Sequence, residues 1–169
     1  METSQAIKKR FSCRQFVPSE PKDENIRKIL EAGFLAPSAR NLRPIDFIVV
    51  KKMDVFKVLG EINPTAKIGS TASFAIVISG DKDKNPRIEF LIEDASIACE
   101  NMLLRATDLA LGSLWNGLSF DTPYQIKVAE VFKFPANKIP LAILYFGRKG
   151  VEGEAKGSFD ESRVHKETY

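Results

Sequence analysis

The chain has 169 residues, 44% hydrophobic and 28% charged, enough for one domain with its own core and far from the composition of a disordered segment. Its net charge of +3 is unevenly placed, with +5 over the first 60 residues and −2 over the rest, a local surplus that suits an anionic small ligand better than nucleic acid. Two cysteines 86 positions apart exclude a disulfide framework and a zinc ribbon, the single His165 leaves no room for a multi-His metal centre and little for a Ser-His-Asp triad, and no apolar run reaches signal-peptide or membrane-span length, which together read as a cytoplasmic protein with no membrane partner.

Thr3 or Ser4 is expected to cap a short first helix running toward Arg10. A second helix fits residues 22–35, with Asp23 and Glu24 near its start and Ile26, Ile29, Leu30 and Phe34 at helical spacing. Residues 36–38 (APS) end it. Residues 46–51 (DFIVVK) read as a strand, followed by a short helix from about Asp54. Residues 73–80 (SFAIVISG) form a second strand, apolar enough to be buried on both faces. After Asn85-Pro86, apolar residues recur every three or four positions from Ile88 to Leu109. The implied helix runs to Gly112, about 34 Å at 1.5 Å per residue, and forms a central core helix, an oligomer interface, or both. Its acidic pair Glu93-Asp94 reads as the solvated side. Residues 112–117 (GSLWNG) are a short strand or turn, Asp121-Thr122-Pro123 starts a helix reaching Phe132, and residues 139–147 (IPLAILYFG) make a third apolar strand. Residues 148–169 hold ten charged groups and few core anchors, and read as an extended tail. Three apolar strands among helices give an α+β or α/β layered domain.

Three stretches carry chemistry. In Arg10-Phe11-Ser12-Cys13-Arg14, two guanidiniums flank a hydroxyl, a set suited to a phosphomonoester or, failing that, an ordinary basic turn. In residues 36–44 (APSARNLRP), two prolines bracket a rigid loop that can set Asn41 against a heterocycle edge or simply connect helix to strand. In 112–117, glycines permit close approach to the backbone, and Trp115 is either core or a cofactor platform. Cys13 has no base nearby in sequence, and Cys99 on the apolar helix face is packing. Neither GxxxxGK[ST] nor GxGxxG occurs, so an enzyme built on this chain draws its hard chemistry from a bound cofactor.

Taken in order, these stretches resemble the nitroreductase family of flavin enzymes, in its short members. RFSCRQF at 10–16 is similar to the family's opening R-x-S-x-[RK]-x-F, APSARNLRP to its A-P-S-x-x-N-x-Q-P loop, GSLWNG falls at its turn over the flavin, and SRVH at 162–165 resembles its C-terminal basic motif. The resemblance implies an α+β three-layer fold, with a mixed and mostly antiparallel sheet between helices, in an intertwined homodimer. Residues 1–147 would be the FMN-binding domain and 148–169 an extension of it wrapping the partner subunit. It implies that Arg10, Phe11, Ser12 and Arg14 hold FMN at its phosphate and ribityl chain, joined by Arg163. Pro37, Ser38 and Asn41 would approach the flavin from the second subunit. Asn116 and Gly117 would line the ring near N5, with Leu114 and Trp115 on its face. Arg14, or more weakly Lys67, would place positive charge near N1 and O2. No side chain would be catalytic and no metal is implied. The activity implied is an FMN-dependent NAD(P)H oxidoreductase passing hydride to a nitroaromatic, quinone or related small acceptor. The alternatives are a specialised flavin enzyme, dehalogenase-like or flavin-cleaving, and a non-catalytic flavin carrier. Arg43 replaces the family's usual Gln and Ile45 an aromatic residue, so Arg43 would add charge beside the flavin.

Overall fold

The computed structural model describes residues 1–169, apart from the side chains of Met53, Pro64 and Thr65. In chain order the elements are α1 (Thr3–Lys9), β1 (Phe16–Val17), α2 (Asp23–Phe34), β2 (Ile45–Val50), α3 (Met53–Ile62), β3 (Phe74–Asp81), α4 (Ile88–Asp108), β4 (Leu111–Gly117), α5 (Pro123–Val131) and β5 (Lys138–Lys149). Short 3₁₀ segments lie at Ala39–Asn41, Pro64–Thr71 and Glu161–Arg163.

The strands form one five-stranded sheet in which every strand pair is antiparallel. β5 is its centre. Phe146 pairs with Phe74 of β3 on one edge and Ser113 of β4 on the other, while Lys149 and Arg148 pair with β1; β2 closes the β3 side. Side chains alternate across these central strands and build two cores. Phe74, Ile76, Ile78, Leu144 and Phe146 pack with Ile26 and Ile29 of α2 and Leu91, Cys99 and Met102 of α4. Ala75, Val77, Ile143 and Tyr145 pack with Phe56 and Leu59 of α3, Val128 of α5, and Cys13. The result is the expected α+β three-layer arrangement, with α2 and α4 on one face of the sheet and α3 and α5 on the other.

Several expectations need correction. α1 is capped by the backbone of Glu2, whose carbonyl accepts from Gln5 and Ala6, so Thr3 and Ser4 lie inside the helix. α4 stops at Asp108, because Ala110 turns into the left-handed region (φ 58°) and reverses the chain directly into β4. Residues 111–117 are therefore a full strand. Gly112 serves that strand by allowing close approach: a Cβ there would sit 2.8 Å from Cys13 Sγ. β1 has no signature in the sequence, since two residues show no alternation to read; by pairing with 148–149 it extends β5 beyond the expected end at 147. The chain after β5 first folds back on residues 8–15. The Gly150 N–H donates to the Gln15 carbonyl (2.8 Å), the Ala155 N–H to that of Lys8 (3.0 Å), and Gly153 packs against the Phe11 ring. Residues 154–169 are exposed.

Among the described residues, no helix is long and apolar enough to cross a membrane, and no His, Cys, Asp or Glu cluster is placed to hold a metal ion.

Candidate active site

α1 ends at Lys9, and from Arg10 the chain runs extended beside β4. The Cys13 N–H donates to the Ser113 carbonyl at 2.8 Å, and Ser12 and Ser113 form a parallel bridge. Alternation turns Cys13 into the core, where its Sγ donates to the Gln15 carbonyl at 3.1 Å, and leaves Arg10, Ser12 and Arg14 facing outward. These three line a cleft of about 490 Å³ with Phe11 and Gln15, and its other wall is the strap of residues 151–156. Two guanidiniums, the Ser12 hydroxyl and Lys156 thus meet in one place. Arg10 Nε lies 3.4 Å from a Glu100 oxygen on α4, and Arg14 Nη1 donates to the Ser12 carbonyl at 3.3 Å. Burial pushes the Glu100 carboxyl up from its ordinary value and the Arg10 charge opposes that shift. The carboxylates Glu152 and Glu154 share the strap, and Lys149 holds Glu152 at 2.6 Å.

The cleft abuts β4, and the geometry of that strand decides what can lie along it. Ser113 spends its carbonyl on Cys13, away from β5, so Ser113, Trp115 and Gly117 point their backbone groups to the outer edge of the sheet, while Leu114 and Asn116 face β5. Four residues at about 3.3 Å each make this edge roughly 13 Å long from the cleft to Gly117. The side chains divide the other way. Leu114 and Asn116 enter the α5 side, where Leu114 is core and Asn116 Oδ1 accepts from the Tyr124 hydroxyl at 2.9 Å. Trp115, 36% exposed, stands on the α4 side with Gly117 and Ala95, beside a cavity of about 300 Å³. Leu114 and Trp115 therefore cannot both lay their side chains on one face of a ring, and what Trp115 and Gly117 present along the edge is backbone.

The loop 36–44 is held in an unusual conformation. Arg40, Asn41 and Arg43 all have left-handed φ, at 52°, 56° and 51°. The Arg43 guanidinium donates to the Phe34 carbonyl (3.0 Å), the Ala36 carbonyl (3.3 Å) and Asn41 Oδ1 (2.7 Å), and its N–H donates to Ser38 Oγ (3.0 Å). Arg43 is thus a brace for the carbonyls at the end of α2, where a cation also suits the helix dipole. Asp94 Oδ1 on α4 accepts from the Ala39 N–H at 2.8 Å. Asp94 is 3% exposed, which corrects the expected solvated side of α4; it falls in step with Leu91, Ala95 and Ala98 on the buried stripe, and that spacing was the signal available. Pro37 and Ser38 line a separate cavity of about 200 Å³ that shares no residue with the Arg10 cleft.

Within this chain, then, Arg10, Phe11, Ser12 and Arg14 come together and adjoin the β4 edge, while Pro37, Ser38 and Asn41 stand apart. Arg163 is exposed on the last 3₁₀ segment and lines none of this cleft, and Lys67 is exposed on the 3₁₀ segment Pro64–Thr71. Glu100, Asp94 and Tyr124 carry contacts that local sequence did not indicate.

The sequence pattern of the nitroreductase family matches residues 7–64 and 60–148, which span the cleft, the loop and β4. The chain belongs to the nitroreductase family. A Methanothermobacter thermautotrophicus protein provisionally named an NADH dehydrogenase/NAD(P)H nitroreductase is 31% identical over 169 residues, all of this chain and 88% of that protein. Among solved structures, an FMN-dependent nitroreductase from Clostridium difficile is 32% identical at TM-score 0.87, covering 97% of this chain and 98% of that one. A provisionally named nitroreductase from Desulfovibrio desulfuricans, solved in complex with FMN, is 26% identical at TM-score 0.85, covering 100% and 98%. The three-layer sheet described above is the nitroreductase fold, and the chain is an oxidoreductase of that family.

Proposed function

We propose that this nitroreductase-family protein is an FMN-dependent NAD(P)H oxidoreductase that works as an intertwined homodimer. The observation that carries the reading is the continuity of the Arg10–Ser12–Arg14 cleft with the open β4 edge: a phosphate-type donor set at one end, and roughly 13 Å further on, backbone N–H groups at a glycine. That donor set fits FMN. Arg10, Ser12 and Arg14 would hold its phosphate and ribityl chain, with Phe11 as a wall, and the N–H groups of Trp115 and Gly117 would support the ring edge near N5. When bound, FMN would supply the redox chemistry: hydride uptake from a reduced nicotinamide and electron delivery to an acceptor such as a nitroaromatic or quinone.

The protein's share is binding, orientation and electrostatics. No side chain acts as acid or base in this reading. Donor and acceptor use one face in turn, which gives ping-pong kinetics. Pro37, Ser38 and Asn41 stand apart from the cleft of their own protomer, and would meet the cofactor of the partner. Exposed Ile92 and Ile97 on α4 leave apolar surface for a subunit contact. Beyond the strap, the exposed tail would wrap the partner and bring Arg163 to the phosphate.

The test is direct. Purified protein should show a flavin spectrum, or take up added FMN, and NADH or NADPH should bleach it without oxygen. Colourless protein that refuses FMN overturns the reading. Yellow protein that neither nicotinamide bleaches is a flavin carrier or uses another donor, and overturns the nicotinamide half.

A further inference from the structure

The first turn of α5 is bolted to the sheet more firmly than a surface helix needs. Thr122 caps it, its Oγ1 accepting from the Gln125 N–H at 3.3 Å, and Pro123 opens it. Buried Gln125 donates through Nε2 to the Pro140 carbonyl of β5 at 2.9 Å, and its Oε1 accepts from the Asp121 N–H at 2.8 Å, holding a turn in which Asp121 itself is left-handed (φ 57°). From this fixed turn Tyr124 reaches back to β4 and donates to Asn116 Oδ1 at 2.9 Å. Asn116 is the residue before Gly117, and its side chain lies on the sheet face opposite Trp115. The Tyr124–Asn116 bond therefore grips β4 from behind, at the peptide whose N–H forms the end of the open edge.

We propose that Tyr124 is a positioning residue: through Asn116 it fixes the Asn116–Gly117 peptide so that the Gly117 N–H donates to flavin N5. This rests on the FMN reading above and adds to it a residue that never touches the cofactor. Burial pushes the Tyr124 phenol up to about 12, so it stays a hydrogen-bond donor over the whole working pH range. The phosphate end of the cleft lies at the far end of the edge, so loss of the grip acts on the ring contact and spares the anchoring of FMN.

The experiment compares equilibrium binding of FMN and of 5-deaza-FMN, in which a C–H replaces N5 and cannot accept the bond, to wild type, Tyr124→Phe, Asn116→Ala and the double variant. Wild type should prefer FMN by about fivefold, the worth of one ordinary hydrogen bond. Tyr124→Phe should bring that ratio below about twofold while binding 5-deaza-FMN as wild type does. The double variant should lose no more preference than Asn116→Ala alone, since the two residues act as one unit. In the same variants, flavin reduction by the nicotinamide should slow about fivefold. A ratio unchanged in Tyr124→Phe overturns the positioning role and leaves the FMN reading standing. A wild type that binds both flavins equally overturns the N5 contact itself, and a wild type that binds neither overturns the FMN reading and this inference with it. Loss of preference shared equally with loss of 5-deaza-FMN binding marks a merely structural role and also overturns it.

Discussion

Tyr145→Phe should stabilise this protein. Tyr145 is on the central strand β5, 0% exposed, with its ring edge-on to Phe56 (centroids 5.9 Å apart, planes at 74°) and flat space for it provided by Gly69, where a Cβ would come within 2.4 Å of the ring. Its hydroxyl is buried and has no hydrogen-bond partner among the described residues. An unpaired buried hydroxyl costs about 1–3 kcal/mol. Phenylalanine keeps the ring and both packing contacts, and the hydroxyl-sized void it leaves costs a few tenths of a kcal/mol, at about 24 cal/mol per Å³. The net gain is about 1–2 kcal/mol, which at roughly 2–4 °C per kcal/mol raises Tm by about 2–8 °C. Calorimetry and urea titration measure it, both at one fixed protein concentration, since any self-association would make Tm concentration-dependent. Equal or lower stability in Tyr145→Phe refutes the reasoning and means that a buried water or another group completes the bond.

Other consequences can be measured in the same preparations. Arg10→Ala with Arg14→Ala should weaken FMN binding at least a hundredfold, since each removes a charge-assisted bond, while far-ultraviolet circular dichroism and Tm stay close to wild type; unchanged flavin content would move the phosphate elsewhere. Gly112→Ala should destabilise by about 1–3 kcal/mol in urea titration by pressing on Cys13 Sγ, and Cys13→Ala in the same chain should recover part of that loss. Burial raises the Tyr124 phenol to about 12 and pushes Tyr145 up as well, so for both the folded value lies above the unfolded one near 10. Their contribution to stability is complete below about pH 10 and fades as pH rises toward 12. Phenolate absorbance from these two should accordingly appear together with unfolding, and Tyr124→Phe or Tyr145→Phe should remove amplitude from that late phase.

The strong periodic segments were legible because hydrophobic burial writes them directly: α2, β3 and β5 carry their apolar residues at the spacing of their own geometry, and Thr122-Pro123 marks the start of α5. What stayed hidden was set by contacts distant in sequence. β1 exists because Lys149 and Arg148 are there to pair with it, and Ala110 reverses the chain without the glycine such a conformation favours. Asp94 looked solvent-facing beside Glu93, yet its acceptor role is defined by an amide 55 residues away. At the candidate site, Arg10, Ser12 and Arg14 could be singled out by residue type, and the fold brings them to one cleft. Arg43 was not legible: its sequence position suggested charge for a ligand, whereas its acceptors are two backbone carbonyls and the Asn41 side-chain oxygen. Nor does a string of letters reveal that strand alternation sends Leu114 and Trp115 to opposite faces once residues 111–117 are a strand.

The two buried cysteines occupy different layers, and this makes them built-in clocks for different motions. Cys99 is sealed in the α2–α4 core, where burial pushes its thiol up to about 12, so an alkylating reagent should reach it only when the whole chain opens. Cys13 is shielded by the contact of the Arg10–Arg14 segment with β4, and needs only that segment to lift. Under pulsed alkylation Cys13 should therefore be modified first, at a rate that reports the breathing of the Arg10–Arg14 segment alone.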